Sequence, residues 1–382
     1  MTETTRNELT VVILIDALGW EIVQRFGFAG TLFPQSGPLE TILGYSSAAI
    51  PSLLSGTKPS EHGSWAMYRY SPSTSPFKLL RFLPNLPHPL EWRLRRWIRR
   101  VIDRRKVIKG YYDLYEIPPR MLSYFDVATR TDPYTPGGLR RETLFDCLET
   151  SGIRYRQWNY RTPESENFRQ LLSLVGSDKQ LLFLYTAELD ALMHRVGIFH
   201  NDVREKLAWY EEQLAKIVTT ACDAGRPLRL YLFSDHGMTE VSDAVDLMRE
   251  VESWGFRLGT DIVAFYDSTM ARFWCDAETR VRLGKRLNET GWGRVMSDKE
   301  LDAFGCRFED GSYGEVIFLL PPGRLIVPSF MGRETIAAMH GYDPDDRFSK
   351  GCFMSNEASD NCPGSILDLK SYLLERIGVT RE

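Results

Sequence analysis

The sequence has little of what stabilises a small secreted domain or anchors a protein in a membrane. Only six of its 382 residues are cysteines, and none forms a C-x-x-C pair, which excludes a dense disulfide framework and a thioredoxin-like redox motif. No apolar run approaches the roughly 20 residues that a membrane-spanning helix needs. The run from Val11 to Ile15 is too short for the core of a signal peptide. We therefore expect a cytoplasmic protein.

An excess of charge of one sign is also missing. The net charge is −4 and the sequence pI is about 6.0, so no specific nucleic-acid binding is expected. With 43% hydrophobic and 26% charged residues, the composition is typical of a globular enzyme and excludes a disordered chain. Histidine is rare as well, with six in the whole chain, so each one can be considered individually.

Three short apolar runs predict buried strands, at Val11 to Ile15, Leu181 to Tyr185 and Leu228 to Phe233. Between the last two, apolar side chains recur at helical spacing from Val203 to Ala221, with Asn201 or Asp202 as the predicted cap. A strand, helix and strand of these lengths predict an α/β fold. We expect a central, mostly parallel sheet sandwiched by helices.

Each predicted strand runs into an acidic residue. Asp16 follows the first strand, Asp190 the second and Asp235 the third. Because ligands of open α/β sheets bind at the carboxyl ends of the strands, we expect these carboxylates to converge. Taken alone, each has a simpler interpretation, such as a helix cap at Asp16.

Three histidines accompany these carboxylates. His194 lies one helical turn after Asp190, His236 directly follows Asp235, and His340 precedes a glycine. Three carboxylates and three imidazoles suit Zn²⁺, with Mn²⁺ as the alternative. Six ligands are too many for one catalytic zinc with an open position, but they fit two ions that clamp a phosphoryl group. His62 and His200 have no acidic residue at ligand spacing.

A candidate nucleophile precedes a helix-like segment. Ser46 and Ser47 follow Gly44 and Tyr45, and a serine at a helix N-terminus lies where the backbone amides favour an anion. A metal ion would lower the pKa of such a hydroxyl and favour its attack. In the simpler interpretation, one of the two serines only caps the helix.

Five segments, in their content and in their order along the chain, resemble the motifs of the alkaline phosphatase superfamily. The resemblance is greatest to its type I phosphodiesterase/nucleotide pyrophosphatase branch. The segments are LIDALGW, GYSSAAIPSLLSGTKPSEHG, ELDALMH, SDHGM and MHGYDP. They extend from residue 16 to residue 343, which is nearly the whole chain.

The resemblance implies a role for each matched residue. One metal ion would bind Asp190, His194 and His340. The other ion would bind the following side chains: Asp16, Asp235, His236 and the nucleophile. Counting back from His62 places the nucleophile on Ser46, and Ser47 is the alternate because a helix beginning there accommodates Pro51 better. His62 would be structural.

The sequence also departs from the family pattern. The branch usually has an asparagine three residues after the nucleophile, where this chain has Ala49, so an arginine or lysine from elsewhere would have to neutralise the phosphate. The sulfatase pattern is missing around Ser46. The phosphoglycerate mutase branch has a longer insertion than this chain provides.

Together these features predict a metal-dependent phosphodiesterase or nucleotide pyrophosphatase acting on a small-molecule phosphate ester through a phospho-serine intermediate. Alternatives within the superfamily are a phosphomonoesterase or a phosphotransferase, including one that acts on a lipid- or sugar-linked phosphate. An alternative of another kind is a binding protein that keeps the fold without turnover. The oligomeric state is left open.

Two insertions are predicted within a single domain of residues 1–382. Residues 257–325 form a small α+β subdomain, and residues 64–137 form a basic, aromatic cap. Between Lys78 and Lys109, eleven basic and two acidic residues give a local charge of +9. A helical face of Leu90, Leu94, Trp97, Ile98 and Val101 lies among these arginines. Residues 90–106 therefore suit contact with a membrane surface. In a second interpretation, aromatic residues of the cap stack on the base of a substrate; the candidates are Trp65, Trp92, Trp97, Tyr111, Tyr112 and Tyr115. In a third, the helix is only a solvated surface helix.

Overall fold

A computed structural model of the chain describes residues 8–83, 88–358 and 361–379. Residues 84–87 of the predicted cap and the two ends of the predicted domain lie outside this range. The strands, in chain order, are β1 (Leu9–Ile15), β2 (Gln35–Leu39), β3 (Tyr68–Tyr70), β4 (Phe125–Val127), β5 (Tyr155–Trp158), β6 (Leu181–Thr186), β7 (Leu228–Phe233), β8 (Thr239–Glu240), β9 (Asp243–Val245), β10 (Val263–Tyr266), β11 (Met270–Trp274), β12 (Arg294–Val295), β13 (Val316–Leu319), β14 (Arg324–Ile326), β15 (Ala338–Met339) and β16 (Gly351–Ser355).

The helices, in chain order, are α1 (Trp20–Phe26), α2 (Ser46–Ser55), α3 (Pro59–His62), α4 (His88–Arg105), α5 (Pro119–Leu122), α6 (Leu144–Thr150), α7 (Glu164–Leu174), α8 (Glu188–Val196), α9 (Asn201–Asp223), α10 (Leu247–Ser253), α11 (Ala277–Glu289), α12 (Asp298–Ala303) and α13 (Leu369–Ile377). Two 3₁₀ helices span Lys78–Phe82 and Arg347–Ser349. In the described part of the chain, no helix combines the length and apolar character required to cross a bilayer.

Strand β1 lies inside a six-stranded sheet of order β2-β16-β7-β1-β6-β5. It runs parallel to both β6 and β7, and β5 continues the parallel set at one edge. At the other edge, β16 is antiparallel to β7 and to β2. The predicted central, mostly parallel sheet is therefore confirmed.

Helices cover both faces of this sheet. In β1, Val11 and Ile13 pack on the side that includes α1, α7, α8 and α9. Val12 and Leu14 pack on the other side, with α2, α6 and α13. Because neither face meets water, the strand is an unbroken apolar run rather than an alternating one. Burial of each such side chain contributes about 1.5–3 kcal/mol.

The long helix α9 begins earlier than its apolar pattern indicates. Its N-cap is His200, whose ring nitrogen accepts a hydrogen bond from the Asp202 amide at 3.2 Å. The predicted cap at Asn201 or Asp202 is wrong, because the imidazole performs the function expected of a short polar side chain.

A third hydrophobic core lies outside the sheet, and both predicted insertions contribute to it. The ribbon of β3 and β4 and the helix α4 come from the first insertion, and the four-stranded antiparallel sheet β10-β11-β13-β12 comes from the second. Tyr68 stacks on Phe265 with ring centres 5.6 Å apart. Arg272 is paired with Asp267 at 2.8 Å and donates a hydrogen bond to the Tyr68 carbonyl.

The orientation of α4 differs from the face predicted for it. Ile98 and Ile102 are buried in the third core, whereas Leu90 and Trp97 are exposed. The Arg95 side chain is also buried, and it forms an ion pair with Glu116 at 2.8 Å. The buried side of the helix thus includes Arg95 together with Ile98 and Ile102, while part of the predicted apolar face lies on the surface.

His62 is a structural residue, and it makes stability depend on pH. Its Nδ1 accepts a hydrogen bond from the Ser64 amide at 3.2 Å, and Nε2 lies 2.9 Å from the Ser52 hydroxyl. Burial lowers its pKa to about 4. Since the pKa of the unfolded chain is about 6.5, protonation favours unfolding, and the stability present above pH 6.5 is lost as the pH falls towards 4.

We expect the wild-type free energy of unfolding to fall by up to about 1.4 kcal/mol more per pH unit across this window than that of His62→Gln. Urea titrations between pH 7 and pH 4 measure the difference. His200→Gln, at the exposed cap of α9, is the matched control and should follow the wild-type curve. Equal slopes for the wild type and His62→Gln would contradict the assignment.

Candidate active site

The carboxyl ends of β1 and β7 place two carboxylates side by side. Asp16 follows β1, and its amide donates to the Thr186 carbonyl at the end of β6 at 2.9 Å. Asp235 lies two residues after β7. Ala17, the residue after Asp16, adopts the left-handed region with φ of 61°, and its amide donates a hydrogen bond to Asp235 Oδ1 at 3.4 Å. Both carboxylates are almost completely buried.

Helix α8 begins directly after β6 and presents two further ligands on one face. Asp190 and His194 are one turn apart, with His194 Nε2 at 3.2 Å from Asp190 Oδ1. His194 Nδ1 lies 2.8 Å from the Ala338 carbonyl. Because a carbonyl only accepts, Nδ1 carries a proton, and Nε2 is the ring nitrogen directed at the carboxylate.

A short strand pair brings the last histidine to the same place. In the antiparallel pair of β8 and β15, Met339 pairs with Thr239. This sets His340 against His236, with ring centres 3.9 Å apart and nearly parallel planes. Gly237 lets the chain pass close to its neighbour, since a Cβ there would lie 2.1 Å from the Phe348 carbonyl.

The six predicted ligands form two adjacent clusters, each with ligand atoms within 4.8 Å of one another. One consists of Asp190, His194 and His340, and the other of Asp16, Asp235 and His236. These are the two sets that the family resemblance implied. Buried Oδ1 of Asp190 and Oδ2 of Asp235 have no hydrogen-bond partner in the described part of the chain. The donor types and these free oxygens fit divalent cations.

The crowding of carboxylates is visible in their ionisation. Burial raises the pKa of Asp16 well above its usual range, and Asp235 and Asp190 raise it further. Burial, followed by the charge of Asp190, raises the pKa of Asp235 to about 7. Burial opposes ionisation of Asp190 too, but His194 and His340 outweigh it and hold that pKa low. Bound cations would relieve this repulsion.

Ser46 lies at the first turn of α2 and points into the second cluster. His236 Nδ1 donates to the Gly237 carbonyl at 2.9 Å, which leaves Nε2 to accept from Ser46 Oγ at 2.9 Å. Ser46 Oγ also lies 3.5 Å from Asp16 Oδ1. The helix begins at Ser46 in spite of Pro51, which is inside it. Ser47 lines the neighbouring cavity.

A cavity of about 530 Å³ opens in front of these side chains. Its walls come from the sheet, from the cap and from the segment around Met331 and Ile336. Six tyrosines contribute to it, namely Tyr45, Tyr111, Tyr115, Tyr134, Tyr160 and Tyr185. No lysine or arginine is among the described residues that line it, so the expected neutralisation of the phosphate by a cap arginine or lysine is not seen here.

The predicted base-stacking aromatics are divided by the fold. Tyr111 and Tyr115 line the cavity. Trp65 is buried and donates to the Leu43 carbonyl at 2.7 Å. Trp92 and Trp97 are exposed on α4. Tyr112 is buried as well, so among the six predicted aromatics only Tyr111 and Tyr115 belong to the described cavity lining.

Sequence reasoning missed Tyr185, whose hydroxyl donates a hydrogen bond to Asp16 Oδ2. Tyr134 stacks on its ring at 5.4 Å, and burial, followed by the charge of Asp16, raises the Tyr185 pKa well above its usual range. The available signal was its place near the carboxyl end of a strand that leads into a ligand helix.

The sheet order and the paired clusters define the alkaline-phosphatase fold, in which the site lies at the carboxyl ends of the parallel strands. The sequence matches the model of the family described as type I phosphodiesterase/nucleotide pyrophosphatase over residues 10–279. The chain belongs to this family, as its motifs predict, and the family consists of metal-dependent hydrolases of phosphoric esters. Comparison with curated proteins finds no match.

Solved structures with the same fold include ectonucleotide pyrophosphatase/phosphodiesterase 5 from mouse and human. The murine structure is 13% identical and the human one 12% identical, both with a TM-score of 0.68. An inactive variant of the murine protein in complex with AMP is 13% identical with a TM-score of 0.66. Each match covers 98% of this chain and 96% of the other. At this identity the likeness establishes the fold alone.

Loss of the Tyr185 hydroxyl should weaken metal binding. Tyr185→Phe removes the hydrogen bond that orients Asp16, and loss of such an outer partner typically lowers metal affinity 10- to 100-fold. Titration of the protein with Zn²⁺ against a competing chelator measures the change. Tyr134→Phe is the control, because its ring packs in the same place without a hydroxyl bond to Asp16. Equal affinities in both variants would show that Tyr185 does not position Asp16.

Proposed function

We propose that the protein is a metal-dependent phosphodiesterase of the nucleotide pyrophosphatase type that uses Ser46 as its nucleophile. The observation that carries this proposal is the position of Ser46 Oγ, 2.9 Å from His236 Nε2 and 3.5 Å from Asp16 Oδ1, within one candidate metal cluster. Ser47, one residue further, makes no comparable contact in the described structure.

Two divalent cations, most suitably Zn²⁺ with Mn²⁺ as the alternative, would supply Lewis-acid chemistry at the two clusters. Asp190, His194 and His340 would hold one ion. Asp16, Asp235 and His236 would hold the other, together with Ser46 Oγ. The tautomers set by the Ala338 and Gly237 carbonyls keep the Nε2 atoms of His194 and His236 free to bind metal.

The chain itself positions and attacks the phosphate. Ser46 Oγ loses its proton as it attacks, the Oγ–P bond forms, and the bond from phosphorus to the leaving oxygen breaks. The leaving group takes up a proton and departs as an alcohol, which leaves a phospho-serine intermediate. Hydrolysis of that ester returns the free serine. The Ser46 and Ser47 amides at the start of α2 have no intrahelical partner in the described chain and would be available to bind a phosphate oxygen.

The cavity favours a substrate with one negative charge and an apolar or aromatic group. A monoester carries about two negative charges at neutral pH, and the described lining provides no lysine or arginine to pair with the second. Buried Ala49 has no polar side chain to offer either. The tyrosines provide stacking surface. The inactive variant of the murine relative was solved in complex with AMP, a nucleoside monophosphate of the kind that cleavage of a nucleotide diester would release, so a nucleotide diester suits the cavity. A lipid- or sugar-linked phosphate is the second candidate, because the walls are mostly apolar.

Ser46→Ala should lower turnover of a diester by about three orders of magnitude or more while leaving metal content close to two per chain. Stopped assays with bis-p-nitrophenyl phosphate and elemental metal analysis measure both quantities. Ser47→Ala is the matched control and should stay active. Loss of activity in Ser47→Ala but not in Ser46→Ala would move the nucleophile by one residue, and full activity in both would reject the covalent mechanism.

The diester should be the better substrate. We expect kcat/KM for bis-p-nitrophenyl phosphate to exceed that for p-nitrophenyl phosphate by at least about tenfold, because no lysine or arginine in the described lining pairs with the second negative charge of the monoester. Both rates should disappear on chelation and return with Zn²⁺ or Mn²⁺. A preference for the monoester would favour a phosphomonoesterase, and a metal-free, inactive chain would favour the binding-protein alternative.

A further inference from the structure

The outward side of helix α4 carries a stripe of apolar and basic side chains. Leu90, Arg93, Trp97, Arg100 and Arg104 recur at alternating spacings of three and four residues, which places them along one side of the helix. All five are exposed. Trp97 exposes 59% of its surface and Leu90 exposes 45%. These five residues, the α4 stripe, include no acidic side chain.

The opposite side of α4 fixes the orientation of the stripe. Ile98 and Ile102 are buried in the third core, and Arg95 pairs with Glu116. Arg99, at the edge of the buried side, pairs with Asp113 at 2.6 Å. The helix therefore has an anchored side and an outward side, and the apolar residues of the stripe are not part of the core.

The arginines of the stripe have no ionic partner among the described residues. Within the described part of the chain, no carboxylate lies within 4 Å of the guanidinium groups of Arg93, Arg100 or Arg104. The segment from Lys78 to Lys109 has a charge of +9, while the net charge of the chain is only −4. An anionic surface would therefore be attracted to this side of the molecule and repelled by the rest.

A second exposed apolar element lies beside the helix. In the 3₁₀ helix Lys78–Phe82, Leu79 and Phe82 each expose 73% of their surface, and the Arg81 guanidinium lies 4.7 Å from the Phe82 ring centre. This element and α4 both pack against α5. Exposed apolar side chains beside arginines therefore occur in two elements of the cap, and not in α4 alone.

We propose that the α4 stripe docks on a bilayer surface that carries anionic headgroups. Tryptophan and leucine at the helix surface gain free energy by entering the headgroup region, and the neighbouring arginines pair with lipid phosphates. A nucleic acid would also attract the arginines, but it offers no apolar layer for Leu90 and Trp97. This inference concerns where the protein binds and does not depend on the proposed reaction.

Docking would place the mouth of the active site beside the membrane. On the neighbouring side of α4, a groove of about 520 Å³ is lined by residues that include Trp92, Arg96 and Tyr115. Tyr115, Met331 and Ile336 line both this groove and the active-site cavity. The groove therefore lies directly beside the active-site cavity, on the side of the basic helix.

Co-sedimentation of the full chain with lipid vesicles tests the proposal. The wild type should pellet with phosphatidylcholine vesicles that contain phosphatidylglycerol, and not with phosphatidylcholine alone. Arg100→Glu with Arg104→Glu should lower the partition coefficient by at least about tenfold, and Trp97→Ser by about threefold or more. Added salt should weaken binding.

Helix α11 provides the matched control. It also carries exposed basic side chains beside an exposed apolar residue, Val281, so Lys285→Glu with Arg286→Glu makes the same change in charge. This variant should bind vesicles within about twofold of the wild type. An equal loss in both double variants would show a net-charge effect and overturn the proposal.

Two further readouts separate docking from catalysis and from other partners. The α4 double variant should hydrolyse a soluble diester like the wild type, and Ser46→Ala should still bind vesicles, so either proposal can fail without the other. Failure of the wild type to bind anionic vesicles would refute docking. Displacement from vesicles by duplex DNA at equal phosphate concentration would assign the surface to a nucleic acid and refute docking equally.

Discussion

The parallel pairing of β1 with β6 on one side and β7 on the other is the constraint on which the rest of the structure depends. It brings the ends of three strands to one edge, so Asp16, Asp235 and the first turn of α8 meet without any long-range side-chain contact being needed. The same pairing buries β1 on both faces. One set of backbone hydrogen bonds therefore organises both the core and the site.

This arrangement has an electrostatic cost. Three carboxylates lie close together in a buried region, and the raised pKa values of Asp16 and Asp235 reflect their mutual repulsion and loss of solvent. Protein groups offset part of that cost: the Tyr185 hydroxyl donates to Asp16, and the backbone carbonyls of Gly237 and Ala338 orient two imidazoles. A site with free carboxylate oxygens and oriented histidines is already close to the geometry that divalent cations require.

Charge is divided between the interior and the surface of the cap. The described lining of the active-site cavity provides tyrosines and methionines but no lysine or arginine, while arginines cover the outward side of α4. The two predicted insertions share a core between the cavity and α4, in which Tyr68 packs on Phe265 and Arg272 is paired with Asp267. The cap thus closes an apolar cavity on one side and presents cations on the other.

The sequence alone indicated three strands of the central sheet, its mostly parallel character and the residue types of both ligand clusters. These are local properties: apolar runs mark buried strands, acidic residues mark strand ends, and a four-residue spacing puts Asp190 and His194 on one helix face. It could not show that Tyr185 contacts Asp16, that β15 sets His340 against His236, or that Arg95 pairs with Glu116 while Trp97 is exposed. Those contacts join residues from separate helices and strands. Spacing along the chain indicates which residues share one face of an element, but it does not indicate which other element packs against that face. Only the tertiary structure therefore decides which side chains meet.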